Sequence, residues 1–155
     1  MTPAMHIEVD DLSRHEVQQL LTEHLDNMYA LSPAESVHAL DLGKLRAPDI
    51  TFWTAWDGQT LLGCGALKQL DAEHGEIKSM RTAYAFQRQG VASYMLRFII
   101  EEARRRGYRR LSLETGAMDY FEPARKLYAG FGFQNCAPFG AYKLDPNSAF
   151  MTLEL

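Results

Sequence analysis

Apolar positions along this chain change period repeatedly, and each change marks an element. Met5 to Val9 predicts a short first strand. Ser13-Arg14-His15-Glu16 has the form of a capping box, and Val17, Leu20, Leu21, Leu25 and Met28 then recur at helical spacing. Ser32-Pro33-Ala34-Glu35 predicts a second helix start, with proline at the first helical position, where its missing N–H costs nothing. That helix is short and ends near His38 to Leu40. From Thr51 to Trp56 the pattern alternates, Asp57-Gly58 is a hairpin turn, and Thr60 to Leu67 resumes an apolar strand. After a turn over Asp71 to Gly75, Glu76 to Thr82 is the third strand of this antiparallel group.

The second half changes period again. Gln87 to Ser93, Q-R-Q-G-V-A-S, is a polar turn that opens a helix whose buried stripe is Ala92, Met95, Leu96, Ile99 and Ala103. Gly107 stops it. Arg110 to Glu114 is a short strand reached directly from that helix, so the strands on either side of the crossover form a parallel pair. A helix over about Pro123 to Ala129 follows. Gln134 to Leu155 then reads as two strands around the turn Asp145-Pro146-Asn147-Ser148. The expected fold is a mixed α/β (α+β) layer: an antiparallel first half, one parallel pair in the middle, a C-terminal hairpin, and about four helices.

The 155 residues suit one domain spanning 1–155. A formal net charge of -4 argues against broad nucleic-acid binding, which needs a basic face. The one basic cluster, Arg104–Arg106, ends a helix, where cations complement the helix dipole. Cys64 and Cys136 form no close motif and read as reduced core residues. No signal-peptide pattern and no membrane-length apolar run is present, so a cytoplasmic protein without membrane or nucleic-acid partners is expected.

The turn at Gln87–Ser93 has the placement of a phosphate-cradling loop. Amides at a helix start point outward and carry partial positive charge, Gly90 permits close approach, Ala92 keeps the surface small, and Arg88 adds a cation. A plain strand-to-helix turn explains the same residues equally well. Neither G-K-S/T nor G-x-G-x-x-G is present, which excludes a nucleotide P-loop and a dinucleotide fingerprint.

The flanking residues add to this. Gln87-Arg88-Gln89-Gly90-Val91-Ala92 fits Q/R-x-x-G-x-G/A, and Ala124-Arg125-Lys126-Leu127-Tyr128-Ala129-Gly130-Phe131-Gly132-Phe133 looks like A-x-x-L-Y-x-x-x-G-F. With the strand Glu76–Thr82 before them, these runs resemble the GNAT superfamily of acyl-CoA N-acetyltransferases over nearly the whole chain. The runs E-I-K-S-M-R-T, L-E-T-G and F-E-P-A-R-K-L-Y are similar to a bacterial YsnE-like group within it.

The resemblance implies acetyl-CoA as co-substrate, no metal, and a small-molecule amine as acceptor in a monomer or homodimer. It implies that the two parallel strands splay to admit the pantetheine arm. Backbone groups of Met80 and Thr82 would bond that arm, and Gln87, Arg88 and the amides of Gln89, Gly90, Val91, Ala92 and Ser93 would hold the pyrophosphate. Transfer would be direct, in a ternary complex. Tyr128 matches the tyrosine that protonates the leaving thiolate, and a phenol of pKa ~10 is a suitable donor.

For the base, Glu76 is the first candidate, with a solvent-facing strand carboxylate as the equal alternative. Glu114 and His38 follow. The acceptor lining expected is Ser36, His38, Asp41, Arg81, Glu114 and the final turn. Arg81 suits a substrate carboxylate, although a salt bridge to Glu76 or Glu114 is the plainer expectation. Many family members carry Asn where this chain has Phe121, so M-D-Y-F-E-P is expected to shape an acceptor pocket with apolar walls. An acyl-CoA sensor without turnover and a protein or peptide acetyltransferase are the competing functions.

Overall fold

The computed structural model describes residues 5–31 and 42–155. Its elements run β1 (His6–Val9), α1 (His15–Leu31), α2 (Leu42–Leu45), β2 (Ile50–Asp57), β3 (Thr60–Gln69), β4 (His74–Thr82), α3 (Val91–Arg105), β5 (Arg110–Gly116), α4 (Glu122–Gly130), β6 (Gln134–Asn135) and β7 (Ser148–Glu154). The strands form one seven-stranded sheet in the order β1-β2-β3-β4-β5-β7-β6. Among the described residues, only β4 and β5 pair in parallel; every other neighbouring pair is antiparallel. The expected α+β architecture is what forms.

Alternation along the strands splits the core between the two faces of the sheet. Trp53, Leu67, Ile77, Leu111 and Leu113 pack under α3, whose Val91, Met95, Leu96, Ile99, Ile100 and Ala103 are buried. Phe52, Trp56, Cys64 and Ala66 meet Leu12, Val17 and Leu20 on the α1 side. Ile99 is fully buried, so truncating it to Ala costs about 2–5 kcal/mol. Ala92 departs from the expected stripe: it is half-buried and lines a cleft at the start of α3.

Other expectations shift locally. The Ser13 hydroxyl donates to Asp11 (2.6 Å), and α1 begins at His15. The helix expected after Ser32 lies outside the described residues. Arg104, Arg105 and Arg106 pair with Glu101 and Glu102 within their own helix, at 3.0, 3.0 and 3.3 Å. The C-terminal pair is antiparallel as expected, but its first strand is only Gln134–Asn135. The chain from Cys136 to Asn147 then folds back over β4 before β7 begins, with β7 inserted between β6 and β5.

Candidate active site

A cleft opens where β4 and β5 part. Their register runs from His74↔Arg110 to Ile77↔Leu113 and stops, although β4 continues to Thr82 and β5 to Gly116. The cause lies in β4. Its register with β3 jumps from Ala66↔Lys78 to Cys64↔Arg81, leaving Ser79 and Met80 opposite Gly65. Ser79 is left-handed (φ 55°), and the Cys64 thiol donates to its carbonyl (3.2 Å). Such a bulge bends its strand and here accompanies the parting from β5. The gap is a cleft of about 610 Å³.

The cleft's upper end is the turn into α3. Gly90 caps that helix in the left-handed conformation (φ 87°), and Arg88 just before it is left-handed as well (φ 65°). A methyl group at Gly90 would meet nothing within 4 Å, so the glycine is required for its backbone angle and not for room. The first bond of the helix is Tyr94 N–H to the Gly90 carbonyl (3.0 Å). The amides of Val91, Ala92 and Ser93 precede it and point outward. Gln87, Arg88, Gly90, Val91, Ala92 and Ser93 line the cleft, whereas the Gln89 side chain turns back to the Ala85 carbonyl (3.5 Å).

Met80 and Thr82 line the adjoining wall. Ala83 N–H donates to Leu62 across the sheet (2.8 Å), and ladder alternation therefore turns the Thr82 N–H away from β3, toward the opening.

The opposite side is α4 and the turn that precedes it. Arg125 Nη1 donates to the carbonyls of Gly116 (2.7 Å) and Met118 (2.9 Å), fastening α4 to the end of β5. Phe121 lies flat on Gly116, where any Cβ would collide with the ring. Tyr120, Phe121, Pro123, Ala124, Leu127 and Tyr128 face the cleft, the first three from the M-D-Y-F-E-P run. Tyr128 is 7% exposed and packs edge-on against Phe133 at 5.7 Å. Burial pushes its phenol pKa above the usual value, which keeps the proton on the oxygen.

The charged residues correct two expectations. Glu76 is buried at 3% exposure, against the solvent-facing alternative. Its Oε2 accepts from Lys78 Nζ (2.9 Å) and from the Tyr142 hydroxyl (2.6 Å), and Lys78 Nζ also donates to Tyr142 (2.9 Å). Burial, and then the charge of Glu76, push the Tyr142 phenol strongly up. Arg81 lines the cleft but forms no ion pair with Glu76 or Glu114 among the described residues: the carboxylate of Glu76 is taken by Lys78, which shares its strand face. Glu114 lines the same cleft. His38, Ser36 and Asp41 lie outside the described residues.

Lys78 and Tyr142 have no counterpart among the sequence-based candidates. Lys78 is one strand period from Glu76, a placement readable from sequence. Tyr142 reaches Glu76 across 66 positions from an irregular segment and left no local signal.

This parted parallel pair, ending in a glycine-capped helix start with a buried tyrosine across the gap, defines an acyl-CoA acyltransferase, and comparison places it further. The chain belongs to the acetyltransferase (GNAT) family, whose model matches residues 14–133. It is 62% identical over 151 residues, 97% of this chain and 100% of the relative, to the N-acetyltransferase YsnE of Bacillus subtilis, whose own activity is uncharacterized. It is 51% identical to Escherichia coli YedL, likewise uncharacterized (96% and 94% covered), and 41% identical to an IAA acetyltransferase of Azospirillum brasilense (84% and 86% covered).

Among solved structures, an acyl-CoA N-acyltransferase of Klebsiella pneumoniae shares the fold at TM-score 0.78 and 24% identity, covering 97% of both chains. A GNAT acetyltransferase of Elizabethkingia anophelis, solved with acetyl-CoA bound, shares it at TM-score 0.68 and 20% identity, covering 97% and 98%.

Proposed function

We propose that this N-acetyltransferase moves an acetyl group from acetyl-CoA to the amine of a small molecule, directly, in a ternary complex. The observation that carries the reading is the cleft itself: an opened parallel pair with outward amides at one end and a protonated, buried phenol at the other. The amides of Gln89, Gly90, Val91, Ala92 and Ser93 hold the pyrophosphate, with Gln87 and Arg88 beside it. Backbone groups of Met80 and Thr82 bond the pantetheine as a neighbouring strand would. That fixes the thioester in the gap, where positioning lowers the barrier.

In the transfer, the amine nitrogen attacks the thioester carbon, the C–S bond breaks, and Tyr128 gives its proton to the departing sulfur. Glu76 takes the amine proton, directly or through a water. Glu114 and Arg81 form the acceptor side. No protein nucleophile is required, because the acetyl group arrives activated. Two observations support that. Burial pushes the Cys64 thiol up to about 12, and Cys136 is also raised by burial, so neither is an activated thiolate. Free thiols also suit a reducing cytoplasm.

The test is thiol release from acetyl-CoA across a panel of amines, amino acids and peptides. Amine-dependent release with an N-acetyl product supports the reading. Tight CoA binding with no acceleration by any acceptor replaces it with a sensor, and acceleration by peptides alone replaces it with a protein acetyltransferase.

A further inference from the structure

The strand register fixes which side chains share the sheet face under α1. Arg81 stands opposite Cys64 and Lys78 opposite Ala66, and both partners belong to the core beneath α1. Glu76 precedes Lys78 by one period and lies opposite Ser112, which places Glu114 on the same face. Two cations and two carboxylates, all lining the cleft, therefore gather on one side of it. The helix start of α3 lies on the other face, where Val91 joins the core under that helix.

The two cations are satisfied differently. Lys78 bonds Glu76 and Tyr142. Arg81 forms no ion pair among the described residues, and its Nε is shut off from solvent without a hydrogen-bond partner. A buried donor without an acceptor is costly, and such an atom in a cleft wall requires a physical reason. Guanidinium presents Nε and a neighbouring Nη as a planar fork that matches a carboxylate. The flanking Glu76 and Glu114 disfavour a dianion but suit a molecule that also carries an ammonium group.

We propose that the acceptor is an amine that also bears a carboxylate, an amino-acid-like zwitterion, and that Arg81 receives the carboxylate. This rests on the N-acetyltransferase reading above. The fork completes the valence of a buried donor, and the two glutamates lie on the side where the amine must lose its proton.

The test uses matched pairs, each an amino acid and its carboxamide, with wild type, Arg81→Gln and Arg81→Lys. Transfer is followed by thiol release, and binding to the CoA-loaded protein by calorimetry. The carboxylate member is expected to be favoured about 10- to 100-fold in kcat/KM by wild type. That ratio falls to within about threefold in Arg81→Gln, is partly restored in Arg81→Lys, and CoA affinity holds within about twofold. Equal use of both members by wild type overturns the proposal, as does an unchanged ratio in Arg81→Gln. Loss of CoA affinity in both variants also overturns it and assigns Arg81 to the cofactor. Carboxylate-selective binding with no transfer of any kind supports the Arg81 site while removing the enzymatic reading. Transfer without carboxylate preference does the reverse.

Discussion

The wall of the cleft that faces α3 and the wall that faces α1 border the same gap, yet one offers backbone and the other side chains. On the α3 side the exposed groups are the amides at the start of α3, set by two left-handed residues, Arg88 and Gly90, with small Ala92 beside them. On the α1 side the groups that line the gap are the side chains of Glu76, Lys78, Arg81, Glu114 and Tyr142, drawn from β4, β5 and the segment before β7. A backbone device is local and depends on few side chains. A side-chain device depends on register and on long-range folding, and can be changed one residue at a time. A shared cofactor recognised by the first and a variable acceptor recognised by the second is the division such an arrangement permits.

The largest expected effect comes from the group that serves both walls. Tyr128→Phe should lower kcat about 100-fold or more while CoA affinity stays within about twofold by direct titration. An unchanged kcat removes its acid role. Its phenol pKa is raised by burial, so the wild-type rate should show no loss attributable to this group below about pH 10. An alkaline limb that lies below that pH and disappears in Tyr128→Phe contradicts the assignment.

Tyr142→Phe breaks the α1 wall alone. It removes a donor to a buried carboxylate, a bond worth about 1.5–3 kcal/mol. The acceptor KM should rise about tenfold with CoA affinity unchanged, and equal damage to both binding steps would erase the distinction between the walls. Gly90→Ala breaks the other wall. It forces a Cβ into a left-handed position at about 1–2 kcal/mol, so the KM for acetyl-CoA should rise several-fold and the acceptor KM should not.

The smallest effect lies beneath the segment that carries Tyr142. His74 bonds Ser112 (2.7 Å) and lies against Phe139, ring centroids 5.9 Å apart. Burial lowers its pKa below the usual value, so it contributes stability above about pH 6.5 that is lost as pH falls through its folded-state value. Tm should therefore fall less steeply between about pH 6.5 and 5 in His74→Gln than in wild type. Equal slopes would show that His74 is not the group.

The same division explains what could be read from the sequence. Q-R-Q-G-V-A-S and A-R-K-L-Y announce themselves because a helix start and a helix face are written in consecutive residues. The alternation from Thr51 to Trp56 was likewise legible, and in the structure it sends Trp53 and Trp56 to opposite core faces. The Glu76–Lys78–Tyr142 network was not legible, since the residue that covers Glu76 arrives from an irregular segment whose path depends on β7 inserting beside β5. The expected salt bridge of Arg81 failed for a different reason. The bulge at Ser79–Met80 brings Arg81 onto the face of Glu76, but Lys78, one strand period from Glu76, is the cation that takes its carboxylate.

The central claim is that acetyl passes straight from thioester to amine across this gap. A single-turnover reaction, with enzyme in excess over acetyl-CoA and followed by quench and intact-mass measurement, tests it most directly. The account predicts that CoA and N-acetyl product appear together only when acceptor is present, with the protein's mass unchanged throughout. Release of CoA before acceptor is added, with an acetyl group appearing on the protein and passing to the amine afterwards, would contradict it.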